Sequence, residues 1–404
     1  MKLIKPELLA PAGNYEKAMI AFHYGADAVY VGGTVFGLRK YADNLSLHEL
    51  NNLITYANQH QKQVYVVLNA FAHNSDIEPI ISYLKELEAL KPHALIVSDS
   101  GVMTLVRKYT SLAIHVSTQA SVTNSLACQY YKDLGAKRII LAREVTIRDC
   151  CEIKKSCDIE LEIFVHGAMC ASYSGKCVIS NYSAGRDSNR GGCVQSCRHK
   201  YHLIDPQSGE NQGSAHIMNA KDLMGIKTLP EIIKAGIESV KIEGRMKSNL
   251  YVANAVAMYR QAIDACYNQL IQNLPIKETF FDSFIDQLSA VSNRSFSLGG
   301  LENRPHSESI NTHFSHYQKE VHYLGLVHDS DKQGQWVCSL KADFTKSDTL
   351  LIATPQHPFE EISPTGVFDL QDNPIEKGKP NSMIKLKVDK PMKPLSLLIK
   401  AVSS

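Results

Sequence analysis

An α/β fold, a (β/α)8 TIM-like barrel followed by a small C-terminal β-barrel-like domain, is what this sequence predicts, and three observations predict it. Up to about residue 250, short apolar β-branched runs alternate with helical stretches, the pattern of parallel βα units. A phrase recurs in which a helix stops at glycine and a strand follows: Tyr24-Gly25-Ala26-Asp27, Leu134-Gly135-Ala136-Lys137 and Ala235-Gly236-Ile237-Glu238. Beyond about residue 317 the pattern changes to short strands between Asp, Pro, Gly and Lys turns, as in a small antiparallel barrel.

Taken in order, the strands are expected at Glu7–Ala10, Ala28–Val31, Val64–Asn69, Ala94–Val97, Ala113–Val116, Arg138–Ala142, Leu161–Val165 and Ser239–Ile242. An open doubly wound sheet is the other architecture this alternation permits. In a barrel the chemistry sits on loops leaving the C-terminal strand ends. Asn69, Ser117-Thr118-Gln119, Arg143-Glu144, His166 and Glu243-Gly244-Arg245 would therefore share one mouth. Glu162, on the seventh strand, would face the interior and orient Arg143 or Arg245. Tyr251–Leu270 carries an apolar stripe at helical spacing and closes the barrel domain, residues 1–270. Residues 271–316 lose clear periodicity and read as a connecting segment. In the β-rich domain, 317–404, strands are expected at Val321–Val327, Trp336–Leu340, Thr349–Ala353, Gly366–Leu370, Met383–Val388 and Leu397–Ala401. Lys385 and Lys387 alternate with apolar residues and should share one face, either a protected edge strand or a phosphate-tracking surface.

The densest chemistry leaves the seventh strand. Cys170, Cys177, Cys193 and Cys197 stand in a C-x6-C-x15-C-x3-C pattern among glycines, serines and arginines. Inert cysteines usually sit in apolar runs, whereas nearby cations and backbone N–H groups stabilise thiolates and favour metal binding. Only Cys193 and Cys197 have the tight spacing of a structural zinc site, so an iron–sulfur cluster is favoured and zinc stays open. Arg186, Arg190, Arg198, Lys200, Arg245 and Lys247 would surround this loop with positive charge. They would compensate thiolates or recruit an anionic partner.

The run E-x-F-x-H-G-A-M-C-x4-G-K-C-x-I-S from Glu162 to Ser180, then N-R-G-G-C-x-Q-x-C-R from Asn189, resembles the signature of the peptidase U-32 family of collagenase-like peptidases. Ile242-Glu243-Gly244-Arg245-Met246-Lys247-Ser248 and Glu7-Leu-Leu-Ala-Pro-Ala-Gly-Asn14 resemble two further family blocks, so the resemblance covers most of the chain. Despite the family name, it implies oxygen-independent hydroxylation: of tRNA uridine with prephenate as oxygen source, of rRNA cytidine, or of a quinone precursor. Several members carry a 4Fe-4S cluster. Some members place a cysteine after a downstream Asp-Leu pair, but here Met224 follows Asp222-Leu223, which points to Cys197 as the fourth ligand. The reaction implied is 5-hydroxylation of the tRNA wobble uridine. Arg143 and Arg245 would bind carboxylate or phosphate, and His166 and Glu243 would transfer protons. A collagenase-like peptidase is the alternative.

Composition narrows the class. Lys+Arg 43 against Asp+Glu 41 leaves a net charge of only +2, so any anion-binding surface must be a local concentration. The start, Met-Lys-Leu-Ile-Lys-Pro-Glu, lacks an apolar signal core, and no apolar run reaches spanning length, so a cytoplasmic protein with no membrane partner is expected. The sequence holds no H-E-x-x-H, G-x-S-x-G, P-loop or dinucleotide G-x-G-x-x-G in a strand-to-helix setting.

Overall fold

A computed structural model of the chain describes residues 3–401 apart from 35, 38–42, 346–347, 358 and 389. The barrel strands are β1 (Glu7–Ala12), β2 (Ala28–Gly32), β3 (Gln63–Leu68), β4 (Ala94–Val97), β5 (Ile114–Val116), β6 (Ala136–Ile140), β7 (Glu160–Gly167) and β8 (Ser239–Ile242). Each pairs in parallel with the next, and β8 pairs with both β7 (Ser239 opposite Glu162) and β1 (Ser239 opposite Glu7). That double pairing closes the barrel and excludes the open sheet.

Helices α1 (Tyr15–His23), α2 (Leu47–Gln59), α3 (Ile77–Leu90), α4 (Ser100–Tyr109), α5 (Ser125–Asp133) and α6 (Ile147–Ser156) come after the first six strands in turn. Local chemistry starts them: Asn14 accepts from Lys17 N–H, and Ser46/Glu49 and Thr146/Asp149 form reciprocal capping boxes. After β7 comes a long excursion with one short helix, α7 (Ile179–Ala184), before α8 (Leu229–Ala235) restores the alternation. The last barrel helix, α9 (Asn249–Ile271), is capped by Ser248. Gly135 and Gly236, in the recurring phrase, adopt φ of +90° and +71°, the left-handed region that a side chain disfavours.

The barrel interior is unusually polar below its mouth. Arg138 donates to Glu7 at 2.6 Å, to Glu160 at 2.9 Å and to Glu162 at 3.4 Å, while Tyr65 and Ser239 donate to Glu7 at 2.7 and 3.0 Å. Buried charges survive only when paired and hydrogen-bonded, and this network provides both.

Residues 271–316 do more than connect. They form α10 (Asp282–Ala290), then return across the excursion: Phe296 and Ser297 pair in parallel with Asp222 and Leu223, and Leu301 O accepts from Ile147 N–H at 2.8 Å. The C-terminal domain is a seven-stranded antiparallel half-barrel of β9 (Val321–Ser330), β10 (Gln335–Leu340), β11 (Leu350–Ala353), β12 (Glu360–Ile362), β13 (Gly366–Phe368), β14 (Met383–Lys387) and β15 (Leu397–Ala401). Their order is β12-β11-β15-β9-β10-β14-β13. Trp336, Cys338, Leu340, Ile384, Leu386 and Leu398 fill its core, which leaves Lys385 and Lys387 on the opposite face, as alternation predicts. The domain docks on the barrel where the Tyr24 hydroxyl donates to Ala353 O at 2.6 Å and Gln261 donates to Pro355 O at 2.8 Å. Among the described residues, no helix is long and apolar enough to cross a membrane.

Candidate active site at the barrel mouth

The C-terminal strand ends and the excursion after β7 enclose a cavity of about 140 Å³. Tyr30, Val67, Ile96 and Phe164 form its inner walls, and Lys241 rises from β8 between Tyr30 and Phe164. Asn69, Ser117, Thr118, Gln119, Arg143, Glu144, Glu243 and Arg245 line it too, so the strand ends expected to share one mouth do so, apart from His166.

All four cysteines of the excursion line this cavity, and none is in a disulfide. The loop is held by side chains that the sequence alone offers as partner-binding cations. Arg198 is buried, donating to Met169 O at 2.5 Å, to Asn219 at 2.8 Å and to Ala220 O. Arg190 donates to Asp76 at 2.7 Å and to Phe71 O at 2.5 Å. These two cations are structural clamps. Lys200, by contrast, is exposed and does not line the cavity, and Arg186 is half-buried within the loop. Gly175, at φ +74°, lets the loop touch the β5 exit, where a Cβ would stand 2.1 Å from Gln119 O. Gln195, between Cys193 and Cys197, is left-handed at φ +59° and accepts from Arg294 at 3.2 Å.

Burial pushes the Cys197 thiol up, with Arg198 opposing and Cys170, Cys193 and Cys177 adding to the rise, so the four sulfurs share one electrostatic space. Among the described residues, no three His, Cys, Asp or Glu groups converge as ligands of a single metal ion do. Four soft thiols around one cavity are a donor set that suits a thiolate-ligated metal group. Met224 stands on a short strand antiparallel to the end of β7, opposite His166, and does not line the cavity.

The charged residues sort differently from expectation. Arg143 donates to Glu243 at 3.1 Å and to Ala168 O at 2.9 Å, with its guanidinium 4.2 Å from the centre of the Phe164 ring. Arg245, 3% exposed, donates to Asn44 at 2.5 Å. Glu162 orients neither arginine: fully buried, it accepts from Lys241 at 2.9 Å and from Arg138 at 3.4 Å.

His166 is also elsewhere. Regular alternation from Glu162 and Phe164 would aim it inward, but the β7–β8 register slips so that Lys241 faces Phe164 and Ile242 faces His166. A bulge of this kind reverses the parity of the residues beyond it. The imidazole sits outside the cavity among Tyr251, Tyr259 and Phe296, with ring centres 5.4–5.7 Å away and, among the described residues, no partner for Nδ1. Burial, with a smaller push from Lys247, lowers its pKa to about 3 and keeps it neutral.

The profile of peptidase family U32 matches residues 13–311. The chain belongs to that family. It is 38% identical over 412 residues to tRNA hydroxylation protein P1 of Bacillus subtilis, an alignment covering 98% of this chain and 95% of that protein. It is 31% identical over 403 residues to tRNA hydroxylation protein P of Escherichia coli, covering 88% and 87%. The collagenase of Porphyromonas gingivalis is 31% identical over 307 residues, covering 72% of each chain.

In this U32 protein sequence reasoning misses Lys241, which lines the cavity, and Arg294 and Tyr317, which line the space beside it. Lys241 carries a readable signal, a lysine in the middle of a buried parallel strand. Arg294 and Tyr317 carry none, because Arg294 reaches the cysteine loop from a segment without periodicity and Tyr317 packs on Arg294. Arg294 stacks on Tyr317 at 3.9 Å while bonding Gln195.

Proposed function

We propose that this protein is an RNA-modifying enzyme that hydroxylates tRNA at C5 of the wobble uridine, with prephenate as oxygen source and without molecular oxygen. The observation that carries the reading is the meeting of four thiols with Arg143, Lys241 and Arg245 in one barrel-mouth cavity, in a chain that aligns almost end to end with a tRNA hydroxylation protein.

The cavity supplies three things. Tyr30 and Phe164 offer apolar faces to a flipped-out base, whose extrusion costs a few kcal/mol and is recovered by stacking (roughly 1–3 kcal/mol per base). Arg143, Lys241 and Arg245 offer cations to the carboxylates of a small dicarboxylate. Glu243, which accepts from Arg143, would take the proton that C5 loses. His166, outside the cavity, keeps a packing role against Tyr251 and Tyr259. A 4Fe-4S cluster on Cys170, Cys177, Cys193 and Cys197 would supply redox or Lewis-acid chemistry beside the base.

Hydroxylation of rRNA or of a quinone precursor would use the same cavity, and the nucleosides decide between them. A peptidase would need a nucleophile next to a base; among the described residues, the cavity lining holds serines and cysteines but no histidine. The test is mass spectrometry of tRNA and rRNA nucleosides from cells with and without the gene. Loss of 5-hydroxyuridine derivatives from tRNA is expected. Unchanged derivatives, together with cleavage of gelatin by the purified protein, would establish the peptidase instead.

A further inference from the structure

A second, larger cavity of about 800 Å³ lies outside the first, between the cysteine loop, the β8–α9 loop and the segment entering the C-terminal domain. Cys170, Cys193, Cys197, Arg143 and Glu243 line both, so they form a partition between an inner and an outer compartment.

The two compartments differ in charge. Inside, Arg143, Lys241 and Arg245 face Glu144 and Glu243. Outside, Arg143, Arg198, Lys247, Arg294 and Lys319 face Glu243 alone among the described lining residues, in a protein whose net charge is +2. Asp222 stands behind Lys247 at 3.9 Å and offsets it only in part. Burial and the repulsion of Arg294 and Arg198 still hold the Lys247 pKa down to about 8. Burial also lowers the Arg294 pKa. Positive charge is concentrated here beyond what the protein neutralises.

The groove also has apolar surface beside its cations. Lys247 and Arg294 lie 3.8 and 3.9 Å from the Tyr317 ring, whose side chain stays partly exposed, and Met246 is 56% exposed on the rim. Lys319, exposed, hydrogen-bonds His322 Nδ1 at 3.0 Å. Cations next to aromatic surface are what a single nucleic-acid strand needs, the first for phosphates and the second for bases and sugars. The lysine face of the C-terminal domain is partly closed, since Lys385 pairs with Asp372 at 2.7 Å.

Resting on the RNA-modification reading above, the geometry points to the outer groove as the seat of the RNA backbone flanking the target nucleotide, with the inner cavity receiving only the target base and its small co-substrate. The cysteine loop is then the gatepost between them. Lys319, Arg294 and Lys247 contact phosphates, and the half-barrel contributes through the strand that enters it, not through its lysine face.

The experiment measures binding of an unmodified tRNA transcript to the full-length protein across a salt series. Lys319→Ala and Lys319→Glu, at an exposed position that leaves the fold intact, are compared with Lys387→Glu on the competing face. Lys319→Ala should weaken binding about five-fold at physiological salt and reduce the log–log salt slope by about one. Lys319→Glu should weaken it further, and Lys387→Glu should match wild type. Unchanged binding by both Lys319 variants, or loss of binding only in Lys387→Glu, overturns the groove assignment while leaving the proposed function standing. A wild-type protein that binds no RNA overturns both.

Discussion

The guanidinium of Arg245 occupies the space that Gly32 leaves open: a Cβ at position 32 would stand 2.0 Å from Nη2 and 2.5 Å from the Oδ1 of Asn44. The obstructing atoms are ends of flexible side chains, so the strand can accept alanine by pushing them aside. Gly32→Ala should therefore still fold but with a thermal midpoint lowered by several °C, since overpacking a buried position costs about 1–3 kcal/mol. Hydroxylation should fall at least ten-fold, because moving a positioned cation by about 1 Å is costly to catalysis. Full activity in Gly32→Ala would show that the placement of Arg245 is not used.

Glu162 is the shared counter-charge of Lys241 and Arg138, with no exposed surface. Glu162→Gln leaves two buried cations short of a carboxylate and should destabilise the barrel by about 3–5 kcal/mol in urea unfolding. A loss below about 1 kcal/mol would mean that Glu7 and Glu160 can neutralise both.

Eight of the ten cysteines fall into two groups that predict different outcomes. Replacing Cys170, Cys177, Cys193 or Cys197 by alanine should remove iron and acid-labile sulfide from anaerobically purified protein. Cys128, Cys150, Cys266 and Cys338 are buried away from the mouth, and burial raises their thiol pKa values. Their replacement should leave the metal content unchanged. Stoichiometric zinc without labile sulfide would overturn the cluster.

His166 makes a prediction about acid stability. Its folded pKa, about 3, lies below the ordinary value of 6.5, so the unfolded chain binds a proton that the folded chain refuses. The stabilising contribution is complete above about pH 6.5 and is lost progressively as pH falls toward 3, reaching on the order of 3 kcal/mol by pH 4. His166→Phe keeps an aromatic ring among Tyr251, Tyr259 and Phe296 and removes the titration. Its acid-unfolding midpoint, monitored by circular dichroism, should move to lower pH; an unmoved or higher midpoint would show that other groups govern the acid limb.

The eight barrel strands, the glycine-stopped helices and the exit of the cysteine loop from β7 were all legible in the sequence, because each depends on neighbours along the chain: alternation, caps and turns. The shared address of Asn69, Gln119, Arg143, Glu243 and Arg245 came from the closed barrel, since closure brings every strand end to one rim. Partnership was decided only by the tertiary structure. Arg190 and Arg198 look like free cations in the sequence and become clamps because Asp76 and Asn219 reach them from distant segments. Glu162 pairs with Lys241 and Arg138 because strands adjacent in space, not in sequence, set its surroundings. His166 turns away from the cavity because one skipped residue in the β7–β8 register reverses side-chain parity, and a periodicity of two carries no warning of a bulge.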